Sequence, residues 1–366
     1  MAAFVAGCGT TSDGSDSASS GSGGCKAVSI AYLGAKTGDS ANLGLNMVGG
    51  VKVAIDDYNK AHPDCKVTEK DFDSQGDPEK ATPLATQIIN DSSIVGVVGP
   101  GFSGESDATG KAFSEAGLVT ISASATNPAL TTNGWKTFHR VLGNDDTQAP
   151  ADAKYITDTL KAKKVFVVDD ASDYGKGLAT GVKKSLGSLV GGTDEIQQKQ
   201  TDFGPTVTKI KASGADTVFY GGYYAEAGLI AKQLRAAGYK GYFVSGDGSL
   251  DPGFVKAAGS TGAEDARLSC PCGPASADFT TKYKADNNGK EPGTYSAEAY
   301  DAAKVLLDGI AAGKTTRPDE LAFVNSYDQP GLTKQIKFTP TGEVTDAVVY
   351  AYTVKDGKIG DATVIK

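Results

Sequence analysis

Hydroxyls, phenols and one carboxylate recur at the ends of apolar runs, and they suit the gripping of a small charged molecule. In GPGFSGES, Ser103 places a hydroxyl at the start of a helical stretch. Free N–H groups at such a start form a site for a carboxylate, and Gly99 and Gly101 let the backbone approach closely. The plainer role for this serine is a helix N-cap, and the two roles are compatible. In ISASATNP, residues 121–128, Thr126 adds a second hydroxyl and the Ser124 carbonyl can accept from an ammonium. A serine- and threonine-rich stretch after a strand is otherwise only a loop. Tyr174 and Tyr223 also follow strand ends, the second directly after Gly221-Gly222. At a cleft mouth such rings give apolar area together with a hydroxyl; elsewhere they are packing. Asp247 stands between Gly246 and Gly248 after a hydrophobic run, either as a turn aspartate or as the charge-assisted partner of an α-ammonium. Together these residues predict a site for a zwitterion. Hydroxyls and N–H groups would face its carboxylate, Asp247 its ammonium, and its side chain would lie near Leu43, Phe102 or Tyr223.

Sites in parallel α/β sheets form at the carboxyl ends of strands, and the chain supplies such strands in two series. The first has strands at 27–33, 67–71, 94–98 and 118–121, with helices at 45–59, 81–89 and 105–115 and a polar turn at 34–44. The run at 94–98 does not alternate, as expected of a strand covered on both faces. The second has strands at 164–168, 216–220 and 241–244, with helices at about 148–160 and at 174–186, 205–211, 225–237 and 251–257. The tail reads as helices at 276–287 and 297–310, a short helix at 321–325, then strands at 335–338 and 348–354 with a hairpin turn at 355–358. The expected division is 1–25 as a leader and tether, 26–143 plus 273–342 as one α/β lobe, and 144–272 plus 343–366 as the other. Three crossings, near 143, 273 and 343, would then lie together as a hinge.

With 366 residues, 39% hydrophobic and 22% charged, the chain can build two cores. A net charge of −8 without a basic patch argues against a nucleic-acid partner, and no run is long enough for a transmembrane helix. Residues 1–24 read MAAFVAGCGTTSDGSDSASSGSGG. Val5-Ala6-Gly7-Cys8 resembles a lipobox, which makes Cys8 the expected lipidation site, and the Ser- and Gly-rich stretch behind it suits a flexible tether. The apolar stretch ahead of Cys8 is short for a whole signal peptide. Cys25, Cys65, Cys270 and Cys272 remain, and four cysteines allow three pairings. Neighbouring parallel strands would bring Cys25 and Cys65 together, leaving Cys270 and Cys272 in a tight SCPCGP loop, bridged to each other. A C-x-C pair with both histidines, His62 and His139, far away in sequence is a poor metal signal, so neither metal nor cofactor is expected.

From residue 26 to the end the chain resembles the branched-chain amino-acid binding proteins of bacterial ABC importers, with the type I periplasmic-binding-protein fold. The resemblance rests on Ala31-Tyr32-Leu33-Gly34, Ile121-Ser122 with Ala125-Thr126-Asn127-Pro128, Asp173-Tyr174-Gly175-Lys176-Gly177, and above all Phe219-Tyr220-Gly221-Gly222-Tyr223-Tyr224. It implies two similar Rossmann-like lobes, a monomer, an ABC permease as partner, and tethering by lipid at the outer face of a Gram-positive cell membrane. It places Ser103, Ser124, Ala125 and Thr126 around the ligand carboxylate and ammonium, with Tyr174 and Tyr223 closing over them. Asp247 stands where the family commonly has a glutamate. Leu43 stands where an aromatic contact is common, and Phe102 where the enteric proteins have a disulfide cysteine.

Three other readings compete. An enzyme would need a nucleophile, a histidine and an acid in a familiar order, a P-loop or a GxGxxG after the first strand, and none is present. A sensory domain of the same fold would need an output module. A receptor for another small molecule, such as an aromatic acid, an amide or a urea-like compound, would meet Asp247, which repels a simple carboxylic acid.

Overall fold

The computed structural model describes Met1, Ala2 and residues 27–366; the expectations for Cys8 and Cys25 fall outside the described residues. The first sheet takes strands β1 (Ser29–Gly34), β2 (Thr68–Asp73), β3 (Ile94–Val98), β4 (Val119–Ser122) and β5 (Phe138–Arg140) in the order β2-β1-β3-β4-β5, all parallel. Every residue of β1, β3 and β4 is buried, because helices cover both faces. Among them are α1 (Ala41–Ala61), α2 (Pro78–Asn90) and α3 (Ser103–Glu115). Leu43 and Gly44 lie in the first turn of α1 and not in a polar turn as expected.

After β5 the chain enters the second unit with α4 (Asp145–Lys154), which Asn144 caps by accepting from the N–H groups of Asp146 and Thr147. Its strands are β6 (Val165–Asp169), β7 (Val190–Glu195), β8 (Thr217–Gly221), β9 (Tyr242–Ser245) and β10 (Arg267–Cys270); its helices are α5 (Asp173–Leu186), α6 (Gly204–Ser213), α7 (Tyr224–Ala236) and α8 (Pro252–Ala263). Helices α9 (Ala277–Asp286), α10 (Ser296–Ala311) and α11 (Arg317–Asn325) follow, and α10 packs along α1 in the first unit. The chain then forms a hairpin of β11 (Asp328–Pro330) and β12 (Gln335–Lys337), and ends in β13 (Tyr350–Lys355), β14 (Lys358–Ile359) and β15 (Thr363–Val364).

β13 lies antiparallel against β10, so the second sheet runs β14-β13-β10-β9-β8-β6-β7, with β15 on β13. The expected parallel central sheets are thus present, the first wholly parallel and the second mixed by its late antiparallel strands. Strands β7 and β10 were not expected. β7, VGGTDE, is a half-exposed edge strand without an apolar run, and β10 is four residues long and ends in the cysteine placed in a loop. Cys270 and Cys272 are joined as a disulfide.

The neighbours β2-β1-β3 and β7-β6-β8 repeat one topology: the chain leaves the first strand to one side, then returns to the other. Loops splay apart at such a reversal and leave a crevice. The two crevices face each other.

Candidate functional site

In the first unit, the loops after β3 and β4 are stitched together by serines. Ser122 donates to the Pro100 carbonyl at 2.8 Å and accepts from the Ala125 N–H at 2.9 Å. Ser124 donates to the Gly101 carbonyl, and Ser103 accepts from the Asn127 N–H at 3.3 Å. Arg140, fully buried at the end of β5, holds the second loop from behind through the Ala125 and Asn127 carbonyls, at 2.8 and 3.0 Å. Its other nitrogen donates to Glu343 at 2.8 Å, and Asn144 donates to the same oxygen at 3.0 Å. Asn144, Glu343 and the base of this loop are thus tied together through Arg140.

The N-cap of α3 is Phe102, and Ser103 is its first helical residue, which corrects the expected cap. A phenylalanine has no side-chain oxygen to offer the first turn, so the N–H groups there lack a side-chain cap of the usual kind, and such groups suit an anion. Glu105 reaches back from the third position to accept from the Phe102 N–H at 3.1 Å. It also accepts from Ser74, and burial pushes its carboxyl up to about 8.

The second unit uses the same stitching. Ser245 donates to the Tyr220 carbonyl at 2.7 Å and Ser249 to the Gly222 carbonyl at 3.1 Å, locking the loops after β8 and β9. Asp247 opens the single turn Asp247–Ser249 and is 1% exposed. Tyr174 donates to one of its oxygens at 2.8 Å and Tyr295 to the other. The Gly248 N–H in turn donates to the Tyr174 hydroxyl at 2.9 Å. Gly248 has to be glycine: a Cβ there would sit 2.6 Å from the Tyr174 ring. Burial pushes the Asp247 carboxyl up, against the two phenolic hydrogen bonds, which hold it down. Asp145, on α4 behind it, is pushed up to about 8 by burial and then by the Asp247 charge.

Between these loops lies a narrow cavity with room of about 10 Å³, lined by Leu43, Gly101, Phe102, Ser103, Ser124, Tyr174, Tyr223, Asp247 and Tyr295. A space of that size holds about one water: the loops of the two units stand closed on each other. Seven of the nine expected site residues line it. Ala125 and Thr126 do not: their carbonyls turn away, to Arg140 and to the Asp145 N–H at 2.9 Å. Tyr295 escaped sequence reasoning. It holds a left-handed backbone at the N-cap of α10, with φ 71°, and nothing in GTYSAEAY marks one phenol among the 15 tyrosines of the chain.

The units touch across the cavity. Phe102 meets Tyr223 edge-on, ring centroids 5.5 Å apart. Asn127 donates to the Asp173 carbonyl at 2.7 Å and Asn42 to Asp251 at 2.8 Å. A negative group at one end, anion donors at the other and an apolar side wall can hold a zwitterion.

The sequence model of the periplasmic binding protein family matches residues 27–358. The chain belongs to this family. As a periplasmic binding protein it is 31% identical over 349 residues to the Leu/Ile/Val-binding protein homolog 3 of Brucella melitensis, covering 91% of this chain and 92% of that one. It is 28% identical over 339 residues to the leucine-, isoleucine-, valine-, threonine- and alanine-binding protein of Pseudomonas aeruginosa, covering 89% and 90%. Its fold matches that of the branched-chain amino acid transporter substrate binding protein LivJ of Streptococcus pneumoniae, solved with isoleucine. The TM-score is 0.86 at 28% identity, over 93% of this chain and 99% of that one. The family is one of solute-binding receptors. No helix of the described residues is long and apolar enough to cross a membrane.

Proposed function

We propose that this protein is an extracellular receptor that captures an aliphatic α-amino acid between its two lobes and delivers it to an ABC permease. One observation carries the ligand class. A buried carboxylate, Asp247, clamped by two phenols, lines the same cavity as Ser103, the first residue of α3. An α-carboxylate would take the Ser103 hydroxyl and the first-turn N–H groups, and the α-ammonium would take Asp247. Bridging both lobes, such a ligand favours the closed arrangement, whose outer surface the permease reads.

The same reading assigns residues 26–143 with 273–342 to one lobe and 144–272 with 343–366 to the other. It makes the crossings the hinge, Cys8 the lipid anchor at the outer membrane face, and Cys25–Cys65 a second disulfide. The protein acts as a monomer and carries out no chemistry on its ligand.

Calorimetric titration of protein refolded to strip carried ligand tests this. Leucine, isoleucine, valine or alanine should bind saturably and a dicarboxylate should not. Silence to every amino acid would reject the ligand class and leave the fold untouched.

A further inference from the structure

The small cavity is not the whole space between the lobes. Outside it lies a cleft of about 660 Å³, whose wall includes Gln75, Gly76, Pro78, Lys80, Lys199 and Tyr223. Tyr223 lines both spaces. The ring of Phe102 stands edge-on to Tyr223, at 68° between planes. Its other side backs onto the loop after β2, where a Cβ on Gly76 would sit 3.9 Å from the ring. The Phe102–Tyr223 pair therefore separates a tight inner chamber from a wide, polar outer one. Phe102 itself is only 6% exposed.

The backbone at Phe102 does a different job from its ring. Its N–H is held by Glu105 and its carbonyl accepts from the Ser106 N–H at 2.9 Å. Trimming the ring leaves the start of α3, and so the anion donors, in place.

We propose that Phe102 limits the size of ligand this protein accepts: its ring stands between the inner chamber and the outer cleft, so a side chain long or broad enough to have to displace it is disfavoured. The inference rests on the receptor reading given above. A side chain larger than the chamber must either displace the ring from Tyr223 or overpack the wall, and overpacked sites are penalised. With the ring removed, the chamber joins the outer cleft and a larger side chain gains a path outward. A small ligand loses the apolar wall it packed against.

The test compares ligand-stripped wild type, Phe102→Ala and Phe102→Leu by calorimetry against alanine, valine, leucine and phenylalanine. Circular dichroism checks the fold of each. Wild type should prefer its best aliphatic ligand over phenylalanine by about 100-fold. Phe102→Ala should lower that ratio by about tenfold or more, with phenylalanine gaining affinity and alanine losing it. Phe102→Leu should fall between. Equal wild-type affinity for leucine and phenylalanine would overturn the inference while leaving the receptor reading standing. So would a ratio unmoved in the folded variants; should Phe102→Ala not fold, an unmoved ratio in Phe102→Leu alone decides. Wild type binding no amino acid at all would instead remove the receptor reading, and this inference with it.

Discussion

The two walls of the cavity are built alike and charged differently. Each is a pair of loops beyond neighbouring strands, locked by serine hydroxyls onto carbonyls: Ser122 on Pro100 in one, Ser245 on Tyr220 in the other. The first wall then offers neutral donors, the Ser103 hydroxyl and the start of α3. The second offers Asp247 with Tyr174, and borrows Tyr295 from α10, which packs on the first unit. On the receptor reading proposed above, this shared scaffold would hold complementary ends of one ligand. Neutral donors are numerous and replaceable, whereas Asp247 is the one carboxylate among the wall residues.

That asymmetry orders the expected effects. Asp247→Ala should cost about 2–5 kcal/mol of amino-acid affinity, because it leaves a buried ammonium unpaired. Titration calorimetry reads this, and unchanged affinity in a folded variant would undo the contrast between the walls. Tyr295→Phe removes one hydrogen bond to that carboxylate and should cost about 1.5–3 kcal/mol. A smaller loss than in the serine variant below would mean that Tyr295 closes the cavity without tuning its charge.

Titration offers a separate comparison. Behind the first wall sits Glu105 and behind the second Asp145, each raised by burial from its ordinary value, 4.5 or 3.8, to about 8. The folded state therefore binds more protons than the unfolded chain between those values and about 8. This contribution is complete below the unfolded value and is lost as the pH climbs through about 8. The thermal midpoint should fall from about pH 5 to about pH 9, and Glu105→Gln should flatten the fall; a midpoint that rises over this range would contradict both assignments. Least is expected of Ser103→Ala, about 1 kcal/mol of affinity, since the first-turn N–H groups remain.

Much of this was legible because apolar runs and glycine-bearing strand ends are written locally. Buried strands such as Ile94–Val98 read directly as continuous apolar stretches, and Asp247 is conspicuous between its glycines. What was not legible depends on distant chain. β10 is a strand because β9 and β13 flank it, not because RLSC demands it. Tyr295 reaches Asp247 only once α10 has docked on α1. Thr126 reads as a second hydroxyl for the ligand, yet it is not among the cavity's lining residues, and the carbonyls of its loop are held by Asp145 and by Arg140, whose own place depends on Glu343, more than two hundred residues further on.

The antiparallel strand β13 has a consequence for how the molecule is made. It fills the edge of β10 from the last part of the chain, and α10 reaches α1 from nearly as late. Neither lobe can finish folding while its later segment is still unsynthesised, unlike domains that fold in order as they emerge. Until residues 350–355 arrive, β10 keeps an open edge, and open edges pair with whatever strand is nearest. This architecture thus leaves a nascent chain long unfinished, with an edge exposed to aggregation until its last residues arrive.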